Sequence, residues 1–198
     1  LIIVGCILII AILKVIYPKR FNDFIRLPVS NNYFLAKGKS EELRHPFSIL
    51  LFVIQLISIS LFVNLFFLEK GKANVLLFLQ ILFVVFVFII VKTSIEKIIG
   101  TIFSIEKLID HYIYEKLSYR NFLSLLLIIT NLIFYFSIKP DLNTLLILTG
   151  ILFLVNMLIL SYSYKNYRSL IFSNLFYFLL YICALEISPY LILYKAFI

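Results

Sequence analysis

The chain has 198 residues, a formal net charge of +8, and a composition that is 63% hydrophobic and only 14% charged. Soluble domains run at about 45–50% apolar, so a water-soluble globular fold is excluded, and the apolar segments leave no room for a second domain with its own core. With no Trp, any aromatic belt at a membrane interface falls to the 13 Tyr and 21 Phe.

Six stretches read as membrane-crossing helices: 1–17, 47–68, 73–91, 122–138, 142–160 and 170–185. Crossing ~30 Å of hydrocarbon takes about 20 mostly apolar residues. The expected fold class is therefore all-α, a polytopic membrane helical bundle forming one integral domain over 1–198. Span 1–17 is short and contains Lys14, but a lysine can snorkel to the headgroups while Val15 and Ile16 stay in the apolar layer. The span lacks the basic n-region and small-residue cleavage site of a secretory signal. Because the sequence starts at Leu1 rather than Met, an upstream segment is expected.

The first loop is punctuated by Pro18, Pro28 and Pro46, each of which disfavours a helix running through it. Between the first two, Phe21, Phe24 and Ile25 share a helical face, while Lys19, Arg20, Asp23 and Arg26 fall elsewhere. That pattern predicts a short interfacial helix. Ser40 before Glu41 and Glu42 has the form of an N-cap with acidic first-turn residues. His45, just before Pro46, is better placed for a loop or headgroup hydrogen bond than for general-base work.

Beyond the third span the period changes. Ile95, Ile98, Ile102, Ile105, Ile109 and Ile113 recur at steps of three and four, with Lys97, Gly100, Ser104, Lys107, His111 and Glu115 on the other face. The pattern predicts an amphipathic helix over 92–116, and no Pro separates it from the span before it. A single helix over 73–116 would reach about 66 Å. It could bend flat into the headgroups or project from the membrane and bury its Ile stripe against a partner. Lys92 with Glu96 and His111 with Glu115 form i,i+4 pairs, worth a few tenths of a kcal/mol each.

Signs of chemistry are sparse. Cys6, Cys183, His45 and His111 are too scattered for a metal site. A bridge between Cys6 and Cys183 competes with the ordinary role of membrane cysteines as small apolar residues. There is no phosphate-cradling Gly-rich loop and no paired carboxylate within a span. No catalytic residue and no cofactor or metal is expected. The spans do carry Gln55, Ser58, Ser60, Asn64, Gln80, Asn131, Asn156 and Asn174. Amides of this kind mostly bond neighbouring helices, with a polar pathway as the alternative. Glu186 is the one acid set inside apolar sequence; an interfacial structural role competes there with partner binding or proton handling.

Charge gives a sidedness. Of 18 Lys and Arg, only Lys70, Lys72, Lys139 and Lys195 fall outside the first, third and fifth loops. Cytoplasmic loops keep the positive excess, so the N- and C-termini of this sequence are expected on the extracytoplasmic side of a bacterial inner membrane. Lys19, Arg20, Arg26, Arg44, Arg120 and Arg168 are candidate lipid-headgroup contacts, and the basic pI needs no nucleic acid to explain it. Arg44, Arg120 and Arg168 each precede an apolar helix, with a Ser soon after, which suggests three helical hairpins at intervals too unequal for a repeat.

Tyr17-Pro18-Lys19-Arg20-Phe21, Asn32-Tyr33-Phe34, His45-Pro46-Phe47-Ser48, Glu96-Lys97-Ile98-Ile99-Gly100, Lys116-Leu117-Ser118-Tyr119-Arg120-Asn121, Ser163-Tyr164-Lys165-Asn166-Tyr167 and Ala184-Leu185-Glu186 together carry a resemblance. In this combination the chain resembles a Bacteroidota inner-membrane family known as domain of unknown function 4271. The likeness implies topology and lineage but no catalytic residues, and the lineage points by analogy to type IX secretion or gliding motility. The leading expectation is a non-enzymatic membrane subunit of a larger envelope complex, contacting its partners through Ile98, Ile102, Ile109 and Glu186. A small transporter or lipid-binding protein using the intramembrane polar residues and Glu186 is the alternative. A lipid-modifying enzyme working through His45 or His111 ranks below both.

Overall fold

The structure is a computed structural model and describes residues 2–27, 45–69, 71, 74–102, 106–137 and 141–166. In chain order the helices are α1 (Ile2–Ile16), α2 (Pro18–Ile25), α3 (Pro46–Glu69), α4 (Val75–Ile102), α5 (Glu106–Phe136) and α6 (Leu142–Asn166). The chain divides into a unit over 1–157 and another over 158–198, whose described part is the end of α6. The predicted span 170–185, with Glu186, Arg44, Arg168 and Cys183, lies outside the described residues.

Among the described residues three helices are long and apolar enough to cross a membrane: α3, α4, and α5 from Ile109 onward. They become four if α1 and α2, bent by 115° at Tyr17–Pro18, count as one broken span. In α6 the apolar stretch is shorter, Leu142–Asn156. Val84, Phe83, Leu79, Ile147 and Leu154 all lie exposed, the outward apolar surface that a bilayer rather than water would cover.

Helix boundaries follow from local chemistry. Pro18 and Pro46 stand at the first helical position of α2 and α3, where a missing N–H costs nothing. His45 accepts a hydrogen bond on Nδ1 from the Phe47 N–H (3.2 Å), and its carbonyl accepts from the Ser48 and Ile49 N–H groups. It acts as the cap of α3. Asn74 caps α4, its Oδ1 accepting from the Leu77 N–H at 2.6 Å.

Helices α3, α4 and α5 pack mutually, with α3 against α5 the most extensive contact. Phe62, Leu65 and Leu127 form a buried cluster with Leu145 of α6. Two polar span residues of α3, Ser58 and Asn64, face α5, while Ser60 donates to the Leu56 carbonyl of its own helix. Ser58 Oγ donates to the Ser124 carbonyl (3.2 Å), Asn131 Nδ2 to the Ser58 carbonyl (2.9 Å), Asn64 Nδ2 to Tyr135 Oη (3.1 Å), and Tyr135 Oη to the Leu61 carbonyl (3.2 Å). Helix-to-helix bonding, the first of the two expectations for these residues, describes Ser58, Asn64 and Asn131; Gln80 instead lies exposed.

Two expectations need correction. Helix α2 forms where an interfacial helix was predicted, but Phe21 and Phe24 turn into the protein while Ile25 stays outside. Phe24 meets Phe47 and Phe122 edge-on at centroid distances of 6.0 and 6.2 Å. The second correction is larger: 92–116 is not one amphipathic helix. Helix α4 ends at Ile102, α5 begins at Glu106, and the two run back along each other. Opposite charges on 92–102 and 106–116 find each other across this hairpin, a stabilisation that a single projecting helix would forgo.

Candidate functional site

The 28 residues of α4 span about 42 Å, about 12 Å more than a hydrocarbon layer of ~30 Å. Helix α5, with 31 residues, overshoots similarly. The excess on both helices is the charged stretch around 92–116, so the hairpin leaves the apolar layer as a two-helix finger.

Electrostatics and close packing hold the finger shut. Lys116 Nζ donates to Glu96 Oε1 at 2.5 Å, both groups nearly closed off from solvent, and Lys116 also stands 5.4 Å from the centre of the Tyr112 ring. Nearer the tip Lys97 pairs with Asp110 at 3.5 Å. His111 lies 3.8 Å from Glu115, one turn along α5. Gly100 faces Ile109 so closely that a Cβ there would stand 3.1 Å from the isoleucine side chain. Glycine here serves close approach rather than an unusual backbone angle.

This packing divides the isoleucine stripe. Ile109 is 2% exposed and Ile113 also buried, whereas Ile98 and Ile102 are 58% and 68% exposed. Gly100 and Glu115, predicted on a solvated face, are buried instead. The cause is the fold-back: residues on one face of a continuous helix end up on different sides of a hairpin. Ile109 therefore belongs to the core of the finger, and of the predicted contact residues that are described only Ile98 and Ile102 stand outward.

At the root of the finger, between the start of α3, the end of the apolar part of α4 and the neighbouring turns of α5, lies a cavity of about 350 Å³. Apolar side chains such as Phe52 and Ile89 make its inner wall, while Lys92, Lys97, Lys116, Arg120 and Glu96 stand around it. Of the predicted headgroup residues that are described, only Arg120 lines this cavity; Lys19 on α2 and Arg26 at its C-cap are exposed, with Arg20 half-buried. The sequence reading did not anticipate Lys92, Lys97 and Lys116 as a group. Their signal was the pairing of opposite charges across the turn between α4 and α5, Lys97 with Asp110 and Glu96 with Lys116.

Among the described residues no three His, Cys, Asp or Glu side chains gather as metal ligands. Cys6 is buried and unbridged among those residues, and His45 is engaged in capping and in an edge contact with Tyr17. No curated protein and no solved structure matches the chain. A family model does, over residues 1–197, and the chain belongs to the family it describes, a domain of unknown function (DUF4271).

Proposed function

We propose that this protein is a non-catalytic, multi-pass inner-membrane subunit of a larger envelope complex, with the α4–α5 finger on the cytoplasmic side as its docking element. One observation carries the reading: Ile98 and Ile102 stand exposed on the finger, beyond the membrane-length part of α4. Large apolar side chains four apart on one helix face are the anchors by which a helix enters a partner's groove. Outside the bilayer they have no lipid to cover them. The concentration of Lys and Arg in the finger and first loop, compared with the loops on the other side, supports the cytoplasmic assignment, and the resemblance to a Bacteroidota family supports an envelope setting such as secretion or gliding.

The test is purification in mild detergent followed by native mass spectrometry, comparing wild type with the pair Ile98→Ser and Ile102→Ser. Ile109 is left intact because it is core. Wild type is expected to carry a protein partner that the double variant loses, with equal membrane insertion. A double variant that keeps the same company as wild type would overturn the reading.

A further inference from the structure

We infer that the cavity at the root of the finger is a binding site for the headgroup of an anionic phospholipid. Four cationic side chains, Lys92, Lys97, Lys116 and Arg120, surround it against the one carboxylate of Glu96. The Glu96–Lys116 and Lys97–Asp110 pairs each use one cation, and Arg120, half-buried, meets no carboxylate among the described residues. That guanidinium is partly withdrawn from water, where an anion is bound more strongly than on an open surface. A guanidinium suits phosphate in particular, because its fork matches two phosphate oxygens.

Depth selects a lipid over a free anion. Helix α3 contributes its first two turns to the cavity and α4 the residues on either side of the change from Ile89-Ile90 to Lys92. The site therefore straddles the boundary between hydrocarbon and headgroups, cations outward and Phe52 and Ile89 inward. A soluble phosphate has no use for that apolar wall; the first methylenes of an acyl chain do. At about 350 Å³ the cavity lies at the small end of ligand pockets, which run about 300–1,000 Å³. It holds a headgroup and the tops of the chains, and the exposed Ile49 and Ile90 at its rim offer the rest of the tails a path along the bundle. Basic pockets between membrane helices are a recurrent mode of headgroup recognition.

The inference needs only the multi-pass membrane fold and stands apart from the docking role of Ile98 and Ile102. It is tested on the full chain in a zwitterionic detergent, with thermal unfolding followed as lipid is added. Phosphatidylglycerol is expected to raise the melting temperature saturably, while phosphatidylcholine with the same chains, or inorganic phosphate, leaves it unchanged. Arg120→Gln should weaken the phosphatidylglycerol response by at least about tenfold in concentration, the scale of one lost charge-assisted hydrogen bond. Lys14→Gln removes one positive charge from the exposed face of α1, outside the cavity lining, and should leave the response intact. The lipid-free melting temperature of each variant checks that it folds. Equal responses to both lipids overturn the inference, as does an equal response to inorganic phosphate. Equal weakening by Arg120→Gln and Lys14→Gln would reduce the effect to diffuse surface attraction and overturn it too.

Discussion

Glu96 and Lys116 stand 20 residues apart in sequence and 2.5 Å apart in space, with side chains 2% and 8% exposed. Their contact ties α4 to α5 where the hairpin leaves its membrane-length segment. Taking two charges out of water is costly, and only close geometry offsets it. Such a pair contributes little net stability over an apolar pair of the same size, but it penalises any arrangement that separates the partners. It thereby fixes the register of the finger, which in turn decides that Ile109 is buried and Ile98 is not.

Removing one partner should therefore hurt more than removing both. Glu96→Gln takes the carboxylate from beside a buried ammonium and is expected to cost about 3–5 kcal/mol. The double change Glu96→Met with Lys116→Met should lie close to wild type, because neither site then holds a charge. Thermal unfolding in detergent of both single variants and the double variant gives the comparison. A double variant as unstable as the sum of its singles would show that the pair is not coupled.

Gly100 offers a second test of the same register. Alanine gains about 1 kcal/mol of helix propensity over glycine but sets a methyl 3.1 Å from Ile109, so Gly100→Ala should change stability little. Gly100→Leu must push the helices apart and is expected to cost about 1–3 kcal/mol. Ile109→Ala in the Gly100→Leu background should recover part of that loss. An undisturbed melting temperature in Gly100→Leu would mean that the two helices do not approach closely there.

The membrane-length helices were legible because uniform apolarity over about 20 residues has almost no other reading. The hairpin was not, although its charges were in plain view. Ile95, Ile98, Ile102, Ile109 and Ile113 keep helical spacing straight across the break, and periodicity alone does not distinguish a continuous stripe from one folded on itself. The pairs Glu96–Lys116 and Lys97–Asp110 carried the missing information, but i,i+4 neighbours such as Lys92 and Glu96 offered a local pairing that masked them. His45 was legible as a hydrogen-bonding residue before Pro46, and the structure supplies its partner, the Phe47 N–H. The inward turn of Phe21 and Phe24 was not legible, because α2 alone does not reveal Phe47 and Phe122 as a surface to pack against.

Sidedness is open to direct measurement. Reporter fusions after Lys37 or Asp110 should read as cytoplasmic, since both points lie in the loops that hold most of the Lys and Arg. A fusion after Asp141, between two apolar segments, should read as extracytoplasmic. The finger and its cavity would face the opposite compartment if the pattern came out reversed.

The seam between α3 and α5 allows two amides to be set against each other. Asn131 Nδ2 donates to the Ser58 carbonyl at 2.9 Å, an interhelical bond of a kind that averages about 0.6 kcal/mol in membrane proteins. Gln55, nine positions into α3, is wholly buried, yet neither of its amide atoms meets a hydrogen-bonding partner among the described residues. A buried polar group in that condition costs about 1–3 kcal/mol. Leucine has nearly the bulk of either amide and no polar atoms. Asn131 keeps one bond while its Oδ1, like both amide atoms of Gln55, meets no partner among the described residues, so leucine should be favoured more at 55 than at 131. Gln55→Leu is expected to raise the melting temperature, and Asn131→Leu to raise it less or leave it unchanged. If Gln55→Leu instead destabilises the protein by more than Asn131→Leu, the Gln55 amide is bonded in the membrane and belongs to a polar path through the bundle, not to its packing.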